Sequence, residues 1–448
     1  MPKFNHYDIV VVGGGTAGCA AAYTAGKLGL KTLLIEKNIH LGGSITSGLV
    51  TPAMKTSEKQ LNSEFYKALI HEAKALGGQV TYQENPGWFN PELLKIALDR
   101  LMATANVEVI FDARVISLNT LSAKLDSGYK DNISTQKDTF KPENSINGLV
   151  ISSNLLSVYI GASYIVDATG NSEIFVLGNC EFLENENKFQ PVSLRFEMAG
   201  INLNKFANWL LDFDKDRDVT SVEEIDGQIH LSTAYTWDKD KNWALKPIFE
   251  DAVSSGVLKD EDRSYFQLFT IPGKPDSIAF NSPRIYFKEE IDPLSEDASL
   301  ALIKGREAIS RLAIFCKNYL PGFEQSYISN IADALGVRAS RRIKGRYVYT
   351  VEDLRSGKRF ENPILVSNYP IDVHSNKNGK SVLEKINQDY EVPVEALMSE
   401  QYNNLFVAGR GISADFLAQA ALRIQPSCFS MGEGLVKHIY NTTVKNAD

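Results

Sequence analysis

Cysteine is scarce in this chain, with four residues in 448 (Cys19, Cys180, Cys316 and Cys428) and no C-x-x-C pair. That pattern indicates neither a disulfide framework nor a zinc ribbon, and it fits a reducing, cytoplasmic setting. Histidine is also sparse, with six residues, of which His6, His71, His230 and His438 stand at no metal-ligand spacing. No metal is expected. An excess of basic residues is also missing: 47 Lys and Arg stand against 55 Asp and Glu, a formal charge of -8. That balance argues against nucleic acid as a general partner, because its phosphate backbone needs a basic footprint, and leaves room for local basic sites. Long apolar runs are absent too, and nothing approaches the roughly 18 to 20 residues of a membrane span. The apolar N-terminus lacks a basic leader, carries Asp8 and is broken by Gly13 to Gly15, so no secretory signal is expected there. No internal repeat is visible.

What is present is ordinary globular composition, 44% hydrophobic and 23% charged, over a length that suits two or three packed units. The stretch "YDIVVVGGGTAGCAAAYTAGKLGLKTLLIEK", Tyr7 to Lys37, holds the strongest local signal. An apolar run ends at Gly13, Gly15 and Gly18 in G-x-G-x-x-G spacing. A small-residue helix follows, then a second apolar run that closes on Glu36. That order is the dinucleotide fingerprint: a tight turn, close approach of backbone to a pyrophosphate, and a helix lying near its sheet. The anion would sit on the free N–H groups of the helix N-terminus. Glu36 suits an adenosine ribose and disfavours a 2′-phosphate. The motif alone admits NAD or FAD.

Further along, the Gly42-Gly43 pair offers a second close approach to a flat ligand. A helix is expected over about 60–76, and another after Asn90, with Asn90 as its cap and Pro91 in its first position. The run 107–111 reads as a strand of the nucleotide sheet, and the segments 113–118, 148–152 and 155–160 read as a β-meander. The polar tract 120–146 reads as a surface loop. "SYIVDATG" is a further strand ending at Ala168, Thr169 and Gly170. Between about 190 and 330 the texture changes to the strands "SLRFEMAG" and "SYFQLFTIPG", with helices near 204–214, 243–255 and 299–318. Near the end, "NLFVAGRGISADFLAQAALRIQPSCFSMGEGLVKHI" supplies a last strand, a turn at Gly409-Arg410-Gly411 and a long terminal helix. Such a distant second grip suits the long FAD molecule better than NAD.

These residues resemble the FAD-dependent oxidoreductases of the glutathione-reductase-type superfamily, in the branch related to fumarate reductase and succinate dehydrogenase flavoproteins. The fingerprint with Glu36, "LGGSITSGL", "IVDATG" and "NLFVAGRGIS...ALRIQPSCFSMGEG" carry the resemblance. "ALGVRASRRIKGRYVYTVEDLRSGKRFENPI" and "YPIDVHS" look like a narrower bacterial subfamily. The likeness implies an α/β fold, in which a Rossmann-like FAD-binding domain carries a parallel sheet with helices and a β-meander, and an α+β substrate domain is inserted. The expected division is 1–190, 191–330 for the cap, and 331–448. It implies non-covalent FAD, with Gly13, Gly15 and Gly18 on the pyrophosphate and Glu36, followed by Lys37, at the ribose. Gly42 and Gly43 would meet the flavin side, Val115 and Ala168 to Gly170 the adenine half, Gly409 and Arg410 the ribityl chain, and Ile424 the flavin edge. One departure stands out: many superfamily members have Gly-Asp where this chain has Gly409-Arg410. A covalent link through His40 is disfavoured by its spacing.

The expected activity is hydride transfer between flavin N5 and a small organic substrate, with an anion among the candidates and an electron partner that no motif identifies. A disulfide reductase is disfavoured by the lack of a cysteine pair. A flavin monooxygenase is the enzymatic alternative, and a non-catalytic, redox-responsive FAD module the alternative of another kind. Arg338, Arg341, Arg342 and Arg423, with His374, are the candidate substrate-binding or proton-donating residues, since arginine forks capture carboxylates. Arg338 and Arg342 would share a face if their segment were helical.

Overall fold

The computed structural model describes residues 2–57, 59–120, 144–154, 156–184, 190–236, 243–286, 296–374 and 381–444. The polar tract expected as a surface loop lies largely outside them. The fold is mixed α/β, built on two main sheets.

In the first sheet, the apolar run His6–Val12 forms a central strand, parallel to Thr32–Ile35 on one side and to the second half of Leu156–Asp167 on the other. Glu108–Ile110 and Leu405–Val407 extend the parallel part at its two edges. The first half of Leu156–Asp167 turns antiparallel and carries the meander formed with Ile146–Ser153 and Arg114–Thr120. The sequence suggests two strands around 155–167. One twelve-residue strand runs through, serving the meander with its start and the nucleotide sheet with its end.

The helix Thr16–Lys27 lies against this sheet because its inner face is small: Ala17, Gly18, Cys19, Ala20, Ala21 and Ala22 are all buried. At Gly18 a Cβ would stand 1.8 Å from the Gly13 carbonyl oxygen, so only glycine allows that approach. The terminal helix Gln425–Ile439 packs on the same helix, and a Cβ at Gly432 would stand 2.1 Å from the Ala17 carbonyl. The expected long terminal helix is broken into Phe416–Leu422 and Gln425–Ile439. Pro426 explains the break, since it has no N–H to give to the preceding turn and its ring crowds that turn. The helix Pro91–Thr104 has the expected cap, with the Asn90 side chain accepting from the N–H groups of Glu92 and Leu93.

The second sheet is antiparallel, in the order Thr220–Ile225, Gln228–Thr236, Tyr265–Ile271, Lys274–Phe280, Phe196–Ala199 and Tyr327–Ile331. The helices Leu203–Phe213, Lys246–Ser254 and Glu296–Tyr319 contribute to a core distinct from that of the first sheet, centred on Phe196, Phe206, Phe249, Phe266, Phe280 and Phe315. Among the described residues no helix is long and apolar enough to cross a membrane.

Candidate functional site

The glycine turn and the two helices that face it form one cradle. The helix Thr16–Lys27 starts at Gly15 with no side-chain cap and no acidic residue in its first turn, and the helix Gln425–Ile439 starts at Ile424 in the same way. Two helix N-termini thus keep N–H donors for an anion or a polar ring edge. A Cβ at Gly15 would meet nothing nearer than the Ala168 carbonyl oxygen at 4.0 Å, which leaves that side of the turn open. Gly42 donates its N–H to the Gly14 carbonyl at 2.8 Å and brings Gly43 against Gly15. Gly409, with φ at 97°, sits beside Ala17 and Cys428. Open backbone flanked by two helix N-termini suits a dinucleotide pyrophosphate, so the residues fit FAD.

Glu36 is 4% exposed and closes the cradle. Its carboxylate accepts from the Gly14 N–H at 2.6 Å and from the backbone and side-chain nitrogens of Asn38, both at 2.8 Å. Lone pairs remain for a ribose hydroxyl. Lys37 turns away to pair with Glu173 at 3.3 Å. Val115 pairs with Ile151 on the meander, where the ladder slips between Val115 and Ser117.

Asp167, which the sequence reading passed over, organises the Ala168 to Gly170 turn. It accepts from the Thr169 N–H and hydroxyl and from the N–H groups of Ile174 and Phe175. Complete burial pushes its carboxyl up to about 6, against the pull of those donors. The Arg410 side chain works as a strut. It donates to the carbonyls of Gly170 and Val337, both at 2.6 Å, and to the Asn171 side chain at 2.9 Å. Burial lowers its guanidinium to about 10, which leaves it charged at neutral pH.

A second group of side chains gathers around Arg338 and Asp372. Arg338 donates to the Pro191 carbonyl at 2.7 Å. Arg423, at the break between the terminal helices, donates to both the carbonyl and the carboxylate of Asp372, each at 3.1 Å. Its Nε is buried without an acceptor. Two arginines that the sequence reading missed join them. Arg195 donates to the carbonyls of Leu49 and Thr51, tying the second sheet to the loop after the glycine pair, and its Nε also lacks an acceptor. Arg284 lies 3.6 Å from the Tyr265 ring centroid and 3.0 Å from the His374 Nδ1. Arg195 lies between the short strand Val192–Ser193 and Phe196–Ala199, and Arg284 opens the short strand Arg284–Ile285, so each is a lone cation between uncharged neighbours, which was a usable signal.

These charges act on one another. Burial, then Arg284 and Arg423, hold the Arg338 guanidinium well below its ordinary range. Burial followed by the charge of Arg284 lowers Arg195 to about 10. Burial raises the Asp372 carboxyl, but His374, Arg423 and Arg338 outweigh it and hold the group below the usual carboxylate range.

Of the five candidate substrate residues, the structure brings together Arg338, Arg423 and His374. The segment 338–342 forms no helix, so the shared helix face does not exist. Its backbone pairs elsewhere: Leu183 donates to the Arg342 carbonyl and Ile343 to that of Gly411. Arg342 gives its guanidinium to the carbonyls of Ala414 and Glu184, and the Arg341 carbonyl accepts from Ser172. His40 lies 3.7 Å from Asp333 and hydrogen-bonds within its own turn. No cluster of three metal-binding side chains occurs among the described residues.

A parallel sheet with a glycine turn, an acidic strand end and a returning C-terminal strand defines a dinucleotide-binding protein of the flavoprotein kind. The sequence model of the FAD-dependent oxidoreductase family matches residues 8–435, and the chain belongs to that family, with FAD as its cofactor. A dihydrolipoyl dehydrogenase of Trypanosoma brucei brucei is 58% identical over 44 residues, 10% of this chain and 9% of that protein. Digeranylgeranylglycerophospholipid reductase 2 of Methanothermobacter thermautotrophicus is 33% identical over 116 residues, 25% of this chain and 30% of that one. The chain thus spans less than a third of the length of either relative. A geranylgeranyl bacteriochlorophyll reductase-like structure from Thermoplasma acidophilum superposes with a TM-score of 0.44 at 15% identity, covering 99% of this chain and 80% of that one.

Proposed function

We propose that this member of the FAD-dependent oxidoreductases is a dehydrogenase or reductase of a small anionic organic substrate, which Arg195, Arg284, Arg338 and Arg423 bind. One observation carries the reading: the guanidinium groups of Arg195, Arg284 and Arg423 all act on that of Arg338, with Asp372 the carboxylate that offsets them there, and Arg195, Arg284 and Arg338 are at most 9% exposed. Buried cations without enough counter-charge are costly, and an anion seated among them would relieve that cost. When bound, FAD supplies the hydride chemistry. The chain's own residues bind and orient the substrate, and Arg423 and Arg195 still have a buried N–H to give.

In this reading Gly13, Gly15 and Gly18 hold the pyrophosphate, Glu36 the ribose, and Gly42, Gly43, Gly409 and Ile424 the flavin half. Val115 and Ala168 to Gly170 hold the adenine half. Lys37 and the side chain of Arg410 serve through protein contacts. FAD is held without a covalent bond, and the chain works in the cytoplasm. Residues 1–190 and 331–448 form the FAD domain and 191–330 the cap. Kinship with the fumarate reductase branch rests on the motifs at Gly13, Asp167 and Gly409. The test is an anaerobic screen that follows flavin bleaching with organic acids and their neutral amides. Bleaching by an acid and not by its amide supports the reading. Bleaching by neutral compounds alone contradicts it, and rapid reoxidation with hydroxylated product would make the protein a monooxygenase.

A further inference from the structure

Through the middle of the cationic cluster runs a hydrogen-bonded chain whose protons can be placed. The Arg284 Nη2 lies 3.0 Å from the His374 Nδ1. A guanidinium has donors and no acceptor, so Nδ1 must present its lone pair. The proton of the neutral ring then sits on Nε2, which faces the Asp372 carboxylate at 3.4 Å. The same carboxylate accepts from Arg423 at 3.1 Å. The His374 backbone is fixed from a third direction, where its N–H donates to the Gln190 side chain at 3.0 Å.

We infer that His374 is a positioning residue: a neutral, Nε2-protonated imidazole that joins Arg284 to Arg423 through Asp372 and neither gives nor takes the proton of the reaction. The inference rests on the proposed anion-binding reading, and it replaces a catalytic role for this histidine. Both ring nitrogens are engaged with protein partners. The cations around the ring, Arg284 from the short strand Arg284–Ile285 and Arg338 from the irregular segment 337–342, oppose a second ring proton. Asp372, on the histidine's own strand, is the opposing carboxylate. The chain holds two guanidinium groups from distant parts of the sequence in fixed relative positions, which arginine forks need for recognising a planar anion.

The test uses FAD-loaded full-length protein with ¹⁵N-labelled histidine, the His374 signals being assigned by their loss in His374→Asn. We expect Nε2 protonated and Nδ1 bare throughout about pH 5 to 8, a range that spans the ordinary histidine pKa. An imidazolium in that range, or a proton on Nδ1, overturns the inference. Oxalate, followed through the flavin spectrum, reads the positioning role. His374→Phe should weaken its binding by about tenfold at unchanged flavin content, as for one lost charge-assisted hydrogen bond. His374→Asn, whose amide oxygen again offers Arg284 an acceptor, should recover part of that loss. Equal oxalate affinity in all three proteins overturns the inference. Failure of oxalate to affect even the wild-type flavin removes the anion-binding reading instead, while the tautomer still judges the role of His374.

Discussion

A buried neutral histidine leaves a mark on stability against pH, and its size follows from the site. His374 is held down from its ordinary 6.5 to about 3, first by burial and then by the charges of Arg338 and Arg284, with Asp372 pulling the other way. The unfolded chain therefore takes up a proton near pH 6.5 that the folded chain refuses. Stability is complete above that pH and falls as pH drops towards the folded value. Between about pH 7 and pH 4.5 the linkage amounts to about 2.5 kcal/mol. Asp372 does not confuse the window, because its pKa lies below the ordinary 3.8 and its contribution is lost only in stronger acid. His374→Asn removes the titrating group. Urea unfolding of the FAD-loaded proteins at the two pH values should show the wild type losing about 2.5 kcal/mol more than the variant. Parallel losses in both would refute the buried neutral imidazole, and a wild type that gains stability in acid would reverse the sign of the argument.

Arg423→Lys should keep FAD bound and slow flavin reduction by the substrate at least about tenfold, since Lys keeps the charge without the planar fork; loss of flavin would move Arg423 to the cofactor site. Glu36→Arg removes the acceptor of the Gly14 and Asn38 N–H groups. With one charge-assisted bond worth ~1.5–3 kcal/mol, FAD affinity measured by dilution should fall by one to two decades. Gly432→Ala puts a methyl 2.1 Å from the Ala17 carbonyl oxygen and must push the two helices apart. A midpoint lowered by ~1–3 kcal/mol, together with weakened FAD retention, is expected for such overpacking, and unchanged values would contradict the close helix contact.

Much of the nucleotide half was legible because its signals are local. The Gly13 to Gly18 spacing, the small face of the following helix and the Asn90 cap depend on residues within a few turns of one another. The hairpin joining Thr220–Ile225 to Gln228–Thr236 carried a local signal that went unused, an Asp226-Gly227 turn with φ values of 50° and 77°. The arginine cluster was less legible because it is assembled over long range. Arg195, Arg284, Arg338 and Arg423 come from separate segments, and no spacing rule joins them. The charge run at 338–342 suggested one cluster, yet the non-helical backbone there delivers Arg338 and Arg342 to different carbonyls. Asp372 drew no notice within "YPIDVHS", and only its contacts with Arg423 and His374 reveal its place.

The central claim is that the buried guanidinium cluster selects an anion beside bound FAD. Equilibrium titration of the FAD-loaded protein with matched pairs of carboxylates and their amides, in the wild type and in Arg195→Met, tests it most directly. The predicted result is a flavin spectral change with carboxylates only, at an affinity that Arg195→Met lowers by about tenfold or more at the same flavin content. Equal response to acid and amide, or an affinity indifferent to the loss of Arg195, would contradict it.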